Sequence, residues 1–211
     1  MADKFSKLTV YCYNSQEHQH MNIFIASDHA GFELKSFLIE PLSNMGHTVI
    51  DCGTYAYHEA DDYPPFIAKA ARAVSEAEAV GIAYDDSFQI SADPHRDGVP
   101  RDAREDFLAK ETRAIVIGGS GTGEAIVANK YPHVRCAICY GGDSAFEIIR
   151  LSREHNNSNV LSLGARFLAH DQALELVLEW LNTPFSGNER HVRRIHEINI
   201  IEHNKNDTLY E

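Results

Sequence analysis

No run of about eighteen uninterrupted apolar residues occurs in the 211-residue sequence, so nothing in it reads as a bilayer-spanning helix. The opening MADKFSKLTVYCYNSQEHQH lacks the apolar core of a secretory signal, and the expectation is a cytoplasmic protein. Basic residues are scarce: 19 Lys and Arg stand against 31 Asp and Glu, a formal charge of −12 that opposes approach to a phosphate polymer. Neither nucleic acid nor membrane is an expected partner. Cysteine is sparse too, with Cys12, Cys52, Cys136 and Cys139 the only four. Cys136 and Cys139 have the C-x-x-C spacing that suggests a metal or redox pair when it opens a helix. RCAICYG instead reads as a buried strand, whose side chains three apart point to opposite faces, so core packing is expected for both. Internal repeats and low-complexity tracts are absent.

What the sequence does contain is an alternation. Short apolar runs at 22–27, 48–51, 114–117, 135–140 and 159–163 are interleaved with helical patterns at 31–45, 64–79, 123–130, 144–153 and 171–182, and a last helix is expected near 188–202. This is the signature of β-α units in an α/β domain: five strands in a doubly wound parallel sheet, with helices on both faces. Pro41 is expected to kink or break the first helix, because it removes a donor and clashes with the preceding turn. Ligands of such sheets bind outside the carboxyl ends of the strands. The segments to read are therefore SDHAG, GGSGTGE and YGGDS.

GGSGTGE, Gly118 to Glu124, leaves a strand and opens a helix, which is an anion site in outline. No Lys–Ser/Thr pair follows, and Glu124 stands where a dinucleotide fingerprint needs its third glycine, so a nucleotide is not expected. A carboxylate there suits enolate chemistry, with Glu124 removing a carbon-bound proton while amides hold the oxyanion. It also suits a first-turn Glu that complements the helix dipole. Asp28–His29, directly after the first strand, reads either as polar ligand contacts or, for Asp28, as a helix cap. Arg190, His191, Arg193 and Arg194 form a basic cluster in which Arg190 and Arg194 share a helix face, fit to clamp one phosphate or to lie solvated. His155–Asn156 ends a helix and reads equally as a C-terminal cap.

Taken together, ASDHAGFELK (26–35), DYP (62–64), GGSGTGEAIVANK (118–130), REHNNSNVLSLGAR (153–166) and NTPF…RHVRRI (182–195) closely resemble the ribose-5-phosphate isomerase B family, which includes the galactose-6-phosphate isomerase subunits. The resemblance runs from about Met21 to Glu202 apart from one insertion. It implies a Rossmann-like domain, a homodimer or pair of dimers, and interconversion of ribose 5-phosphate and ribulose 5-phosphate through a cis-enediolate, with no metal or other cofactor. One branch of the family carries a catalytic Cys where this sequence has Gly118. The other uses a Glu at the position of Glu124, and this sequence is similar to that branch.

Carried over by position, the resemblance assigns ring opening to Asp28 and His155, and enediolate binding to Ser120 and the amides of Gly119, Gly121 and Gly123. Phosphate falls to His29, Arg166, Arg190 and Arg194, sugar hydroxyls to Asn156, and a pocket wall to Tyr63. It further implies a site shared between two chains, so that dimerisation is needed for activity. Relatives acting on other sugar phosphates, tetroses or hexoses, leave the substrate open, and a sugar-phosphate-binding regulatory protein without turnover is the non-enzyme alternative.

The expected organisation is an extension at 1–20, an isomerase domain at 21–202 and a tail at 203–211. About 30 residues more than the family pattern lie between DYP and the glycine loop, at about 80–110. They are expected to form an acidic loop at the amino ends of the strands, with a short helix near 102–109. Asp85, Asp86, Asp93, His95 and Asp97 read as part of that exposed loop rather than as a metal site. KLTVYCYN near the start is a possible extra edge strand, and the EHQH that follows reads as a polar linker.

Overall fold

A computed structural model of the chain describes residues 20–85 and 110–203. The expected edge strand before residue 20, Cys12, the expected helix at 102–109, the acidic residues from Asp86 to Asp97 and the tail after 203 lie outside the described residues.

All five apolar runs are strands: β1 (Asn22–Ser27), β2 (Thr48–Asp51), β3 (Thr112–Gly118), β4 (Cys136–Cys139) and β5 (Val160–Gly164). They form one parallel sheet in the order β2-β1-β3-β5-β4, with Ile25 level with Asp51 and Ile115, and Ile115 level with Leu161. Alternation along the strands builds two unlike faces. Ile23, Ile25, Ile115, Ile117, Leu161 and Leu163 fill one core, while Ala26, Ala114, Val116 and Val160 line the other. Full burial of each large aliphatic side chain contributes about 1.5–3 kcal/mol. The small residues of the second face let a helix approach closely.

The described helices are α1 (Phe32–Asn44), α2 (Tyr63–Asp85), α3 (Thr122–Ala128), α4 (Ala145–Asn156), α5 (His170–Asn182) and α6 (Glu189–His203). Leu34, Leu38 and Leu42 of α1, Ile149 of α4 and Leu176 and Trp180 of α5 enter the aliphatic core, whereas Ile67, Ala70, Ala71 and Val74 of α2 and Ala128 of α3 enter the small-residue core. Connections that step toward β2 use the first face, and those that step the other way use the second, as right-handed crossovers require. The chain therefore diverges between β1 and β3, which makes their carboxyl ends the switch point where a ligand crevice opens.

Three local expectations are corrected. Pro41 does not break α1, which continues to Asn44. Only three residues of the helix follow it, Leu38 and Leu42 on either side are buried, and Met45 N–H still reaches the Pro41 carbonyl at 3.1 Å. Helix α2 runs to Asp85 rather than 79, carrying on through VGIAYD although Gly81 is a weak helix former; a segment starting at about 80 thus begins inside a helix. Strand β3 begins at Thr112 although Thr112 and Arg113 are polar. Arg113 is buried because its Nη1 donates to the carbonyls of Trp180 and Leu181 at 2.9 and 3.0 Å, satisfying the C-terminal end of α5, while Glu111 balances its charge at 2.8 Å.

The C-x-x-C pair behaves as expected of strand residues. Cys139 lies in the aliphatic core and Cys136 packs against the opposite one. Burial pushes the Cys136 thiol up to about 12 and the Cys139 thiol to about 11, so both are protonated and unreactive near neutrality.

Candidate active site

At the switch point β1 ends in Ser27 and turns at Asp28. Asp28 Oδ1 accepts from the N–H groups of Ala30 and Gly31 at 2.9 and 3.3 Å and caps a 3-10 turn, His29–Gly31. The capping reading is correct for that oxygen, and Oδ2 lies 3.8 Å from His29 Nδ1. A Cβ at Gly31 would sit 2.6 Å from the Ile117 carbonyl. Glycine there lets the turn rest on the end of β3, which carries Asp28 and His29 to the glycine loop. The His29 ring meets Tyr57 edge-on at 6.2 Å. Lys35, 1% exposed, donates to both Asp51 carboxylate oxygens at 2.6 Å and to the Thr54 carbonyl at 2.7 Å, tying the segment after β2 to α1.

The glycine loop leaves β3 beside this turn. Gly121 has φ +72°, a left-handed conformation that favours glycine, and its carbonyl accepts from Ser162 Oγ at 2.6 Å. Ser120 is exposed, and its Oγ accepts from Thr122 N–H at 3.3 Å. Arg166, in the 3-10 turn Ala165–Phe167 after β5, donates its N–H to the Gly119 carbonyl at 3.2 Å, and its guanidinium lies over Gly119. Tyr63, at the start of α2, covers Gly123 so closely that a Cβ there would lie 2.7 Å from the phenol oxygen.

Glu124, in the first turn of α3, is 4% exposed. Its carboxylate lies against Gly118, in the space that a side chain at 118 would occupy. Burial raises its pKa above the ordinary 4.5, the charge of Asp28 raises it further, and its own backbone N–H opposes the shift. A first-turn Glu serving only the helix dipole would be solvated; this one is buried, and its proton affinity is raised toward that of a working base.

Two expected outcomes follow from this packing. Gly118→Ala pushes the carboxylate off its position and lowers kcat by about 10- to 100-fold, since a displacement near 1 Å costs about that much alignment; steady-state kinetics check it, and an unchanged kcat contradicts the placement. With Glu124 as the expected base, the pH profile of kcat/KM carries an acid limb whose pKa lies above 4.5, because the carboxylate is lost as pH falls through the raised pKa. A limb at or below 4.5 contradicts it.

The remaining site residues lie elsewhere. Helix α4 runs antiparallel to the strands, so His155 and Asn156 in its last turn sit at the amino edge of the sheet, where Asn159 N–H pairs with the Arg135 carbonyl before β4. They are not the helix cap: Asn157 takes that role, with φ 45° and its N–H returned to Arg153. Ser186 N–H donates to the Glu154 carbonyl at 3.2 Å and docks the start of α6 on the end of α4. Arg190 and Arg194 are exposed on α6, one turn apart. Asp28, His29, Tyr63, Gly119, Ser120, Gly121, Gly123, Glu124 and Arg166 are thus gathered at the carboxyl edge, whereas His155, Asn156, Arg190 and Arg194 lie a strand's length away, about 15–20 Å at roughly 3.3 Å per residue.

Sequence reasoning assigned no role to Ser162, which lies within the 153–166 motif and holds the glycine loop from β5. It also counted His191 as one more member of the basic cluster, although His191 is buried. Among the described residues, no group of three or more His, Cys, Asp or Glu could hold a metal ion.

The ribose/galactose isomerase family matches residues 23–88 and 102–198. The chain is 38% identical over 176 residues to the ribose-5-phosphate isomerase B of Mycolicibacterium paratuberculosis, covering 83% of this chain and 87% of that one. It is 32% identical to the protein of the same name from Escherichia coli, covering 87% and 98%. Among solved structures, ribose-5-phosphate isomerase B from Mycoplasma genitalium with bound ribulose-5-phosphate superposes with a TM-score of 0.68 at 30% identity, covering 88% of this chain and 99% of that one. The Clostridium thermocellum protein of that name gives 0.67 at 36% identity with the same coverage.

Proposed function

From membership of the ribose/galactose isomerase family, to which this chain belongs, we propose that it interconverts ribose 5-phosphate and ribulose 5-phosphate without a metal, using Glu124 as the base. That it is an enzyme, an isomerase of a phosphorylated sugar, rests on the similarity to ribose-5-phosphate isomerase B proteins across nearly their whole length. The choice of base rests on one observation: the Glu124 carboxylate is buried at the switch point against a residue that has no side chain. A cysteine at 118 and this carboxylate would claim the same space, which favours the branch that uses Glu.

With the sugar open, Glu124 takes the proton from C2 of the aldose, and the C2–H electron pair becomes the enediolate double bond as charge moves to the carbonyl oxygen at C1. Ser120 and the amides of Gly119, Gly121 and Gly123 hold the enediolate oxygens, where donors preorganised in a low-dielectric crevice act strongly. Glu124 then returns the proton to C1, and the oxygens exchange a proton to leave the ketose. Asp28 and His155 assist ring opening. Arg166, Arg190, Arg194 and His29 grip the phosphate, Asn156 contacts the hydroxyls and Tyr63 forms a wall. Binding energy at the phosphate is thereby converted into alignment at C1 and C2.

Because a five-carbon sugar phosphate cannot span the two edges of one chain, the proposal includes a second copy. The amino-edge residues of one protomer meet the carboxyl-edge residues of its partner in a homodimer or pair of dimers. A cytoplasmic location belongs to the same proposal; no described helix is long and apolar enough to cross a membrane. The reading is tested by offering phosphorylated pentoses, tetroses and hexoses to the purified protein in the presence of a chelator. Ribose 5-phosphate turned over fastest supports it; preference for a tetrose or hexose phosphate moves the substrate, and loss of activity with chelator removes the metal-free mechanism.

A further inference from the structure

The basic run at 190–194 is not uniform. Arg190, Arg193 and Arg194 are exposed, whereas His191 is 2% exposed and both of its ring nitrogens are engaged. Arg190 Nε–H donates to His191 Nε2 at 3.0 Å, and His191 Nδ1 lies 2.9 Å from Ser186 Oγ. A guanidinium only donates, so Nε2 carries the lone pair and the ring proton sits on Nδ1, donated to Ser186. Ser186 Oγ in turn accepts from Asn188 N–H at 3.4 Å, just before α6. The ring is therefore neutral and of one tautomer. Burial lowers its pKa, and the nearby charges of His155, Arg190 and Arg194 act the same way, against a hydrogen bond to the Glu154 backbone.

The same imidazole has a third neighbour. The His155 ring packs on it with centroids 4.3 Å apart and planes at 45°. With its Nε engaged, the exposed Arg190 side chain is held by the root of its guanidinium, and both Nη groups remain on the side that can meet two oxygens of one anion. An apolar residue at 191 would hold the helix but leave Arg190 unanchored; a residue without a ring would leave His155 without a wall.

We propose that His191 is a positioning residue: one buried, neutral imidazole sets both the His155 ring and the Arg190 guanidinium, so that ring opening and phosphate grip share a single support. The inference rests on the functional reading of His155 and Arg190 given above.

The test uses the full-length protein and two variants that divide the two tasks. His191→Phe keeps a ring against His155 and removes both hydrogen bonds. It raises KM for ribose 5-phosphate about 10-fold with kcat within about twofold, and adds less than about twofold to the KM of Arg190→Ala, because the guanidinium it would position is already gone. His191→Asn loses the ring face. It lowers aldose-to-ketose kcat about 10-fold, yet slows deuterium exchange into ribulose 5-phosphate by less than about twofold, since the acyclic ketose has no ring to open. Should His191→Phe fail to fold, Ser186→Ala removes the partner that fixes the tautomer and raises KM about threefold. Multiplicative loss in the double variant, or equal loss in every parameter with both substitutions, overturns the proposal. Wild-type kinetics in Arg190→Ala and His155→Asn themselves overturn the reading of those residues and this inference with it. Impairment there alongside wild-type behaviour of the His191 variants removes this inference alone.

Discussion

Glu124→Gln turns over at least about 100-fold more slowly than the unaltered protein while binding the sugar phosphate almost as tightly, because it removes proton transfer and little else. Glutamine matches the shape of the carboxyl group and fits the space against Gly118. The buried setting that raises the pKa of Glu124 also tolerates a neutral amide. The sign of the stability effect separates this result from simple damage. A carboxyl group whose folded pKa lies above its unfolded value destabilises the fold progressively as pH rises through that interval, so removing its charge does not lower stability near neutrality. Steady-state kinetics, a binding titration and a urea midpoint measured together check the prediction. Full activity contradicts the assignment, and a lowered midpoint with lost binding marks a structural role.

The second large effect is a recovery. Glu124→Gln and Arg190→Ala are each strongly impaired, yet mixing the two under conditions that exchange subunits restores about a quarter of the unaltered activity. The proposed sharing of the site between two protomers requires this. In a mixed dimer, one site receives both altered residues and the other receives neither, and random exchange makes about half of the dimers mixed. Specific activity before and after exchange, with exchange verified by tagged subunits, checks it. A mixture that stays at the mean of its components places Arg190 and Glu124 in unconnected sites and contradicts the shared arrangement.

The strands were legible because a parallel sheet covered on both faces needs near-continuous apolar runs, and each run is bounded by turn residues. What sequence reasoning lost at the ends was tertiary in origin. Arg113 opens β3 only because it can reach the carbonyls of Trp180 and Leu181, 67 and 68 positions away. Asn157 caps α4 through a left-handed backbone conformation that REHNN does not declare, since three asparagine or histidine positions compete for it. The carboxyl-edge residues other than Tyr63 were legible as motifs because each lies within a few residues of a strand end. The separation of His155 and Arg190 from them is a property of topology, visible once α4 is known to run back to the amino edge. His191 looked like one more member of a charged run, and only the contact with α4 reveals it as buried.

Proton exchange tests the central claim most directly. Ribose 5-phosphate is incubated with the protein in deuterium oxide, and deuterium on C2 of the aldose and C1 of the ketose is followed by NMR. Deuterium enters those positions alongside isomerisation in the unaltered protein and at least about 100-fold more slowly in Glu124→Gln. Equal exchange rates in the two proteins would contradict a proton transfer through Glu124.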